Sequence, residues 1–290
     1  MTVNESVRVI DLISTASGHM KTRGFENPRL EVERLLGNVL GLSRIELYLA
    51  FERQVNEDER TRFRSLYRRR LAHEPLQHIL GTSNFHDITV KTDRRALIPR
   101  PETELLAETA IQILIHLENP VFLDLGTGSG VIALSILNAV PEARGVAVDI
   151  DADALTLAEE NARLLGIENR ISFVKGDIGK PVEAAGLFDV IVSNPPYIAR
   201  GDIETLEPEV REHEPRIALD GGPDGLDFFR VITGYAHRLL KPGGVLLFEC
   251  GEGQAARILE MLAEAGQYRG SEAIRDLAGR ERIVKCRTEG

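Results

Sequence analysis

Short apolar runs alternate with helical stretches from residue 120 onward, and this alternation restricts the possible folds more than any other feature of the sequence. The runs are five or six residues long and rich in Val, Ile, Leu and Phe, as expected of buried strands. The stretches between them have helical apolar spacing, and several end at glycine. Strands and helices in alternation predict an α/β fold, in which helices cover both faces of a mostly parallel sheet.

The pattern predicts six strands and five helices in this part of the chain. The strands are predicted at residues 121–125, 145–149, 171–175, 188–193, 245–249 and 282–286. The helices are predicted at residues 103–114, 131–137, 152–165, 228–240 and 257–265. We expect the helix from residue 228 to end at Lys241-Pro242-Gly243-Gly244, because proline and glycine do not continue a helix.

Residues 1–80 are predicted to form a separate, small helical domain. Leu30, Leu35, Leu36 and Val39 recur at helical spacing, and Gly41 is placed to end that helix. A second helix follows an acidic start and carries six arginines between residues 60 and 70. We interpret these arginines as a solvated helix face, with contact to a substrate as the alternative. No strand is expected before residue 80.

Residues 81–101 are predicted to form a β-hairpin linker. Residues 88–91 alternate apolar and polar side chains, and residues 96–98 are their expected partner across a turn at residues 92–95. The prolines at positions 99 and 101 then stiffen the entry to the next helix. The main domain is expected to occupy residues 102–290.

The charge of the chain is divided unevenly. The whole chain has a net charge of −10. Residues 1–80 carry 13 Lys and Arg against 11 Asp and Glu, a net charge of +2, whereas the remaining residues carry 22 against 34, a net charge of −12. An acidic main domain is a poor match for a nucleic-acid backbone but is compatible with a protein substrate.

The sequence shows none of the signals of a secreted, membrane-spanning or metal-binding protein. The first residues lack the basic and apolar regions of a signal peptide. Its two cysteines, Cys250 and Cys286, both lie in apolar runs, which disfavours a disulfide framework. The seven histidines lack metal-ligand spacing. We therefore expect a cytoplasmic protein without membrane contact and without a metal.

A glycine-rich turn joins the first predicted strand to its helix. It reads Asp124-Leu125-Gly126-Thr127-Gly128-Ser129-Gly130, and glycines there let the backbone turn tightly and approach a ligand closely. A phosphate-binding loop is excluded, because the turn lacks the required Lys followed by Ser or Thr. Val131 stands where the dinucleotide fingerprint requires a small residue, which disfavours an NAD site.

Two further acidic residues follow predicted strands. Asp149 ends the second strand, where a carboxylate can accept both hydroxyls of a ribose; a helix cap is the alternative role. Asp177 follows the third strand and could accept from an adenine amino group, with Ile178 packing near the ring. A simple turn residue is the alternative for Asp177.

Asn194-Pro195-Pro196-Tyr197 directly follows the fourth predicted strand. Two prolines cannot continue a sheet, so the strand stops and its carboxyl end is stiff and exposed. Ligands of open α/β sheets bind at that end. The Asn amide, free Pro carbonyls and a flat Tyr ring suit a planar amino group, whose two hydrogens need acceptors. The alternative is an ordinary proline-rich turn.

Taken together, these motifs resemble those of the class I S-adenosylmethionine-dependent methyltransferases, and Asn-Pro-Pro-Tyr resembles the signature of enzymes that methylate planar amino nitrogens. Three more segments, at residues 75–81, 97–104 and 209–226, resemble the HemK/PrmC family of peptide chain release factor glutamine N5-methyltransferases. The resemblance covers nearly the whole chain. It implies a Rossmann-like, seven-stranded, mostly parallel sheet with a helical N-terminal substrate-recognition domain.

The resemblance also implies a cofactor, a substrate and the residues that hold them. The cofactor would be S-adenosylmethionine, and the substrate the glutamine of the Gly-Gly-Gln motif in class-1 release factors. The implied cofactor residues are Gly126, Thr127, Gly128, Ser129, Gly130, Asp149, Asp177, Ile178 and Asn194. The implied substrate residues are Asn194, Pro195, Pro196 and Tyr197, of which Asn194, Pro195 and Tyr197 would be catalytic. A monomer is expected.

Three other functions remain open at this point. An amino-group methyltransferase acting on a nucleic-acid base shares the Asn-Pro-Pro-Tyr motif, although the acidic main domain disfavours it. A regulatory module that binds S-adenosylmethionine without turnover has no need of that motif. An NAD-dependent dehydrogenase is disfavoured by Val131.

Overall fold

The structure is a computed structural model that describes residues 7–182 and 186–289. The chain forms two compact units, which divide between Gly81 and Thr82. Within the described residues, no helix is long and apolar enough to cross a membrane. The same residues contain no group of three or more His, Cys, Asp or Glu side chains that could hold a metal ion.

The first unit is mostly helical. Its helices are α1 (Val9–Thr22), α2 (Pro28–Leu40), α3 (Arg44–Leu49), α4 (Glu57–Leu71) and α5 (Leu76–Leu80). Capping boxes start α3 at Ser43 and α4 at Asn56, which satisfies backbone N–H groups that have no helical partner. The prediction that no strand precedes residue 80 is wrong in detail, since β1 (Val7–Arg8) pairs with β2 (Gln54–Val55). A strand of two residues leaves no periodicity to detect.

The second unit is built on a seven-stranded, mostly parallel sheet, which confirms the predicted fold class. Its strands are β5 (Val121–Leu125), β6 (Arg144–Asp149), β7 (Ile171–Lys175), β8 (Phe188–Ser193), β9 (Leu240–Glu249), β10 (Tyr268–Arg275) and β11 (Glu281–Thr288). Their order across the sheet is β10-β11-β9-β8-β5-β6-β7. The two pairings that involve β11 are antiparallel, and the other four are parallel. The strand order reverses direction between β5 and β8, which is where ligands bind in such sheets.

Helices cover both faces of this sheet. They are α6 (Pro101–Leu114), α7 (Val131–Ala139), α8 (Ala152–Leu165), α10 (Asp227–Tyr235) and α11 (Ala255–Ala265). The short helix α9 (Pro208–His213) lies in the segment after β8 and has no fully buried residue. Successive strand residues point to opposite faces, so that Phe122 joins the core beside α6 and α7, and Leu123 the core beside α10 and α11. Both cores contain side chains of the central strands β5 and β8. Because these strands are packed on both faces, the positions of their carboxyl ends are fixed.

The hairpin lies in the second unit but has a different pairing from the predicted one. β3 (Thr82–Phe85) pairs with β4 (Ile88–Lys91) across His86 and Asp87, and residues 96–98 form no strand. Phe85, Ile88 and Val90 are buried in the sheet core. Asn161 of α8 holds the hairpin, because its side chain bonds to both the N–H and the C=O of Lys91. The first strand of the hairpin was not predicted, because Thr82-Ser83-Asn84 is polar and lacks the apolar pattern of a strand.

Two further predictions about the second unit differ from the structure. The helix predicted to reach residue 240 ends at Tyr235, and β9 already begins at Leu240. Residues 241–244, expected to close that helix, instead form a bulge of β9, where Phe188 pairs with Leu240 but Val190 with Val245. β10 was not predicted at all, because most of its side chains are exposed and it lacks an apolar run.

Candidate active site

A cleft opens at the carboxyl ends of β5, β6 and β8, with an empty volume of about 1080 Å³ that includes some open solvent. The lining residues used below come from the glycine turn, the carboxyl ends of β6, β7 and β8, the start of α6, the segment after β8, and α10. They are Arg100, Thr103, Gly126, Thr127, Gly128, Ser129, Asp149, Asp177, Ile178, Asn194, Pro196, Pro215, Ile217, Ala218 and Phe228.

Four backbone N–H groups of the glycine turn donate hydrogen bonds to acceptors within the protein. The N–H groups of Gly126 and Thr127 both donate to the Val148 carbonyl, at 2.8 and 3.0 Å. The Gly128 N–H donates to Asp149 Oδ2 at 2.8 Å, and the Gly130 N–H donates to the Thr127 carbonyl. These four donors are therefore not available to cradle a phosphate, in contrast to phosphate-binding loops. The turn can therefore approach a ligand closely, but it does not present a set of free N–H groups to an anion.

Glycine is required at this turn for conformation and for space. Gly126 and Gly128 have φ angles of +78° and +56°, which side-chain-bearing residues rarely adopt. A Cβ at Gly126 would lie 3.2 Å from Ile178 Cδ1. Gly130 differs from the other predicted residues, because it caps α7 and packs on Ala158 and Leu134 and is not among the lining residues.

Asp149 lies at the end of β6 with its carboxylate on the cleft. Its Oδ2 accepts from Gly128 N–H, and its Oδ1 accepts from Asp151 N–H at 3.0 Å. Each oxygen keeps a second lone pair for another donor. Burial is the largest influence on this group and raises its pKa. The carboxylate can thus accept two further hydrogen bonds at the rim of the cleft.

Asp124 is a buried acid that the sequence analysis did not select. It has no solvent exposure, and its Oδ2 accepts from the Thr127 hydroxyl at 2.7 Å. Burial raises its pKa to about 7, and the nearby Asp149 adds to this effect. Its position inside an apolar strand run was the available signal. Asp124 shapes the glycine turn through Thr127.

Asp177 and Ile178 line the next part of the cleft, together with Phe228. Ile178 is buried, whereas the Asp177 carboxylate is partly exposed and forms an ion pair with Lys180 at 3.0 Å. The hydrogen bond from Lys180 lowers the pKa of Asp177. An apolar wall beside an ionised acceptor suits a flat heterocycle that carries an amino group.

Asn194 and Pro196 reach the same cleft from the end of β8. Ser193 fixes that end, because its hydroxyl donates to the Leu125 carbonyl at 2.7 Å. The Asn194 amide Nδ2 donates to Thr103 Oγ1 at 3.2 Å. Pro195 is buried and is not among the lining residues.

Tyr197 is directed elsewhere than expected from the sequence. Its ring packs against the core beside α10 and α11, and its hydroxyl donates to Glu249 Oε1 at 3.4 Å. Burial raises its pKa above the ordinary value for tyrosine, and the Glu249 carboxylate adds to this. Tyr197 is not among the residues that line the cleft.

The segment after Asn-Pro-Pro-Tyr folds back onto that motif. The Ile198 N–H donates to the Leu219 carbonyl, and Gly221 N–H donates to the Ile198 carbonyl. A Cβ at Gly221 would lie 2.7 Å from the Pro196 carbonyl oxygen. The segment thereby forms one wall of the cleft, through Pro215, Ile217 and Ala218.

The first turn of α6 and the residue before it supply lining residues that the sequence analysis did not assign to the site. Arg100 and Thr103 both line the cleft. The Arg100 guanidinium donates to Glu214 Oε1 at 2.5 Å, and Glu214 is buried. This ion pair joins the segment before α6 to the segment after β8. The run Pro99-Arg100-Pro101 was the signal for a fixed backbone here.

Comparison with known proteins gives matches along the chain. Residues 11–81 match the PrmC N-terminal domain, and residues 102–209 match the methyltransferase small domain. A release factor glutamine methyltransferase of Deinococcus radiodurans is 39% identical over 97% of this chain and 98% of that protein. Another, of Geobacter sulfurreducens, is 44% identical over 86% of each chain.

The chain belongs to the release factor glutamine methyltransferase family. A solved methyltransferase of Pyrococcus furiosus, 20% identical, supports the fold alone, with a TM-score of 0.52 over 69% of this chain and 89% of that one. Membership in this family confirms the resemblance found in the sequence, and it identifies the protein as a methyltransferase.

Proposed function

We propose that this protein transfers a methyl group from S-adenosylmethionine to the side-chain amide nitrogen of a glutamine in a peptide chain release factor. The observation that carries the proposal is that one cleft is lined by both Asp149 and Asn194. A ribose acceptor and an amide clamp thus face the same space. The family relatives named above are release factor glutamine methyltransferases.

The cleft fits a nucleoside better than a nucleotide. Four N–H groups of the glycine turn are bonded within the protein, so a phosphate would find few donors there. Asp149 keeps one lone pair on each oxygen, which matches the two hydroxyls of a ribose. Asp177, Ile178 and Phe228 would hold the adenine. This donor and acceptor set fits S-adenosylmethionine and argues against NAD.

Asn194 and Pro195 are proposed to hold the substrate amide. When bound, S-adenosylmethionine supplies a methyl group on a positively charged sulfur, which is a good leaving group. The difficulty lies in the nucleophile, because the lone pair of an amide nitrogen is delocalised into its carbonyl. The Asn194 Oδ1 would accept one N–H of the substrate amide, and the Pro195 carbonyl would accept the other, although Pro195 is buried and does not itself line the cleft. They would orient the nitrogen and stabilise the positive charge that builds on it.

The protein would need no strong base for this reaction. After transfer, the nitrogen carries a positive charge and loses its proton readily. Pro196 forms the rigid floor beside Asn194, and Gly126 to Ser129 and Asp149 bind the other reactant. Tyr197 was predicted to pack on the substrate amide, but its ring packs against the core beside α10 and α11. We therefore propose that it supports the Asn-Pro-Pro backbone.

The proposed substrate is the glutamine of a Gly-Gly-Gln tip. Glycines beside the glutamine would let a narrow tip reach the end of β8 without side-chain clashes. We propose that residues 1–81 provide a second contact with the release factor, since one glutamine offers little area for binding. The monomeric state and the cytoplasmic location stay predictions.

A labelling experiment tests the substrate class. The protein is incubated with methyl-labelled S-adenosylmethionine and, in separate reactions, a release factor, duplex DNA or RNA. We expect label in the release factor and none above background in either nucleic acid. Labelled DNA or RNA with an unlabelled release factor would favour a base amino-group methyltransferase.

A further inference from the structure

A chain of polar side chains connects Asn194 to a buried carboxyl group. The Asn194 Nδ2 donates to Thr103 Oγ1 at 3.2 Å. The Thr103 hydroxyl is close enough to the Glu249 carboxyl to lower its pKa, and the buried Glu249 Oε2 is otherwise without a hydrogen-bond partner in the described part of the chain. The Tyr197 hydroxyl donates to Glu249 Oε1 at 3.4 Å. Thr103 and Glu249 are 3% and 2% exposed, so water cannot easily replace any of these contacts.

While Glu249 is ionised, the chemistry of these groups allows only one direction for the hydrogen bonds. An ionised carboxylate only accepts, so Thr103 must give its single hydroxyl proton to Glu249. The Thr103 oxygen is then left only as an acceptor towards Asn194. The Asn194 side chain must present its NH2 group to Thr103, and its carbonyl Oδ1 must point away from Thr103. With the opposite orientation, two acceptors would face each other.

We propose that Thr103 and Glu249 are positioning residues, which hold the Asn194 carboxamide in the one orientation that offers Oδ1 to the substrate. This inference rests on the proposed function, since Oδ1 is there the acceptor for an N–H of the substrate amide. A rotated carboxamide would present NH2 to that amide, and two donors would repel each other. Neither residue touches the reacting atoms in this account.

The electrostatic environment of Glu249 makes the orientation of the Asn194 carboxamide sensitive to pH. Burial raises the pKa of Glu249 to about 7, and the hydrogen bond from Thr103 opposes this rise. The other groups that act on Glu249 are Glu102, which raises its pKa, and Tyr197 and Arg282, which lower it. The thiol of Cys250 lies next in the chain, and burial raises its pKa to about 12, so it stays neutral. A protonated Glu249 could donate to Thr103 and remove the orientation, so activity should fall as the pH drops below about 7.

Three variants of threonine test the positioning role in the full-length protein. Thr103→Val keeps the shape but loses the hydroxyl, and we expect kcat to fall at least about tenfold, less than for loss of a direct contact. The Kd for S-adenosylmethionine should stay within about twofold. Thr103→Ser should restore most of kcat. Thr109→Val removes a hydroxyl from the same helix, where it bonds only to the Leu105 carbonyl, and should leave kcat unchanged.

Glu249→Gln tests the carboxylate through the pH profile of kcat. The wild-type profile should rise with pH near 7, and this limb should disappear in the variant. Burial also raises the pKa of Asp124 to about 7. If the rise of kcat with pH came from Asp124, it would persist in Glu249→Gln. A uniform loss of kcat at all pH values, with the limb retained, would overturn the role of Glu249.

A spectroscopic measurement separates this inference from the proposed function. In protein with ¹⁵N-labelled asparagine, the Asn194 NH2 signals are assigned by their loss in Asn194→Ala. We expect slow exchange of one Nδ2 proton in the wild type and in Thr103→Ser, and fast exchange in Thr103→Val. If no release factor is methylated but this pattern holds, the proposed function fails and the orientation stands. Equal exchange and equal kcat in wild type and Thr103→Val would overturn the inference.

Discussion

Asn194 and Asp149 are proposed to act on different reactants at one cleft. Asn194 ends β8 and presents an amide, and Asp149 ends β6 and presents a carboxylate that already bonds two backbone N–H groups. If Asn194 acts on the nucleophile, its loss should affect turnover. If Asp149 accepts from a ribose, its loss should affect cofactor binding. Substitution of Asn194 should therefore lower kcat, whereas substitution of Asp149 should raise the Kd for the cofactor.

We predict that Asn194→Ala lowers kcat at least about a hundredfold, because one preorganised acceptor is lost. Calorimetric titration should show an almost unchanged affinity for S-adenosylmethionine.

Asp149→Ala should instead weaken that affinity by about 2 kcal/mol, because two hydroxyls lose a charged acceptor. Asn138→Ala, on an exposed position of α7, serves as the control and should change neither quantity. A cofactor Kd that rises in Asn194→Ala and stays constant in Asp149→Ala would contradict both assignments.

The sequence identified residues whose role follows from position, and it missed those whose role follows from packing. Asp149 and Asn194 end strands, where ligands bind, and both line the cleft. Asp124 and Glu249 lie within or at the end of apolar runs, and only the fold shows that burial raises their pKa values. The sequence also does not show that the Tyr197 ring packs against the core beside α10 and α11, and its proposed contact with the substrate amide stays a prediction.

At the level of elements, the cleft depends on how the segment after β8 packs on the Asn-Pro-Pro-Tyr backbone. Gln254, just before α11, supports this backbone through a 2.9 Å hydrogen bond from its Nε2 to the Tyr197 carbonyl. Gly221 sits against it so closely that a Cβ would meet the Pro196 carbonyl oxygen at 2.7 Å and Tyr197 Cα at 2.8 Å. Both neighbours are backbone atoms and cannot rotate away.

We predict that Gly221→Ala destabilises the protein by at least about 1 kcal/mol, as overpacking of a tight contact does. It should also lower kcat, because the added methyl group displaces the backbone next to Asn194. Gly201→Ala is the matched control in the same segment, since its Cβ would meet nothing within 4 Å. Thermal unfolding and steady-state assays measure the two effects. Equal behaviour of the two variants would show that the segment is not rigidly packed.

The elements that were predicted incorrectly share a physical cause. β10 and β3 are edge strands with many exposed side chains, so they lack the apolar run that marks the central strands. Residues 241–244 carry the proline and glycines of a helix end, yet they form a bulge in β9. A bulge and a helix end use the same residue types, and pairing with β8 decides between them.

At the scale of the whole molecule, the arginines of α4 are mostly engaged within their own unit. Arg60 and Arg64 pair with Glu57, Arg69 pairs with Glu74, and Arg70 pairs with Glu31. Arg60 and Arg70 are also buried. The other four arginines are exposed, as the interpretation of a solvated helix face predicts, whereas the burial of Arg60 and Arg70 was not predicted.

We predict that deletion of residues 1–81 raises KM for the release factor at least about tenfold, a loss of about 1.4 kcal/mol. The Kd for S-adenosylmethionine should stay nearly unchanged, because every lining residue of the cleft lies in the second unit. A calorimetric titration of the fragment provides this control and shows that it is folded. An unchanged KM would remove the first unit from substrate recognition.

The most direct test of the account is to locate the transferred methyl group. The protein is incubated with methyl-labelled S-adenosylmethionine and an intact release factor, which is then digested and mapped by mass spectrometry. The account predicts one methyl group, on the side-chain nitrogen of the glutamine that follows two glycines, and no labelling when that glutamine is replaced by glutamate. A methyl group on another residue, or undiminished labelling after the replacement, would contradict it.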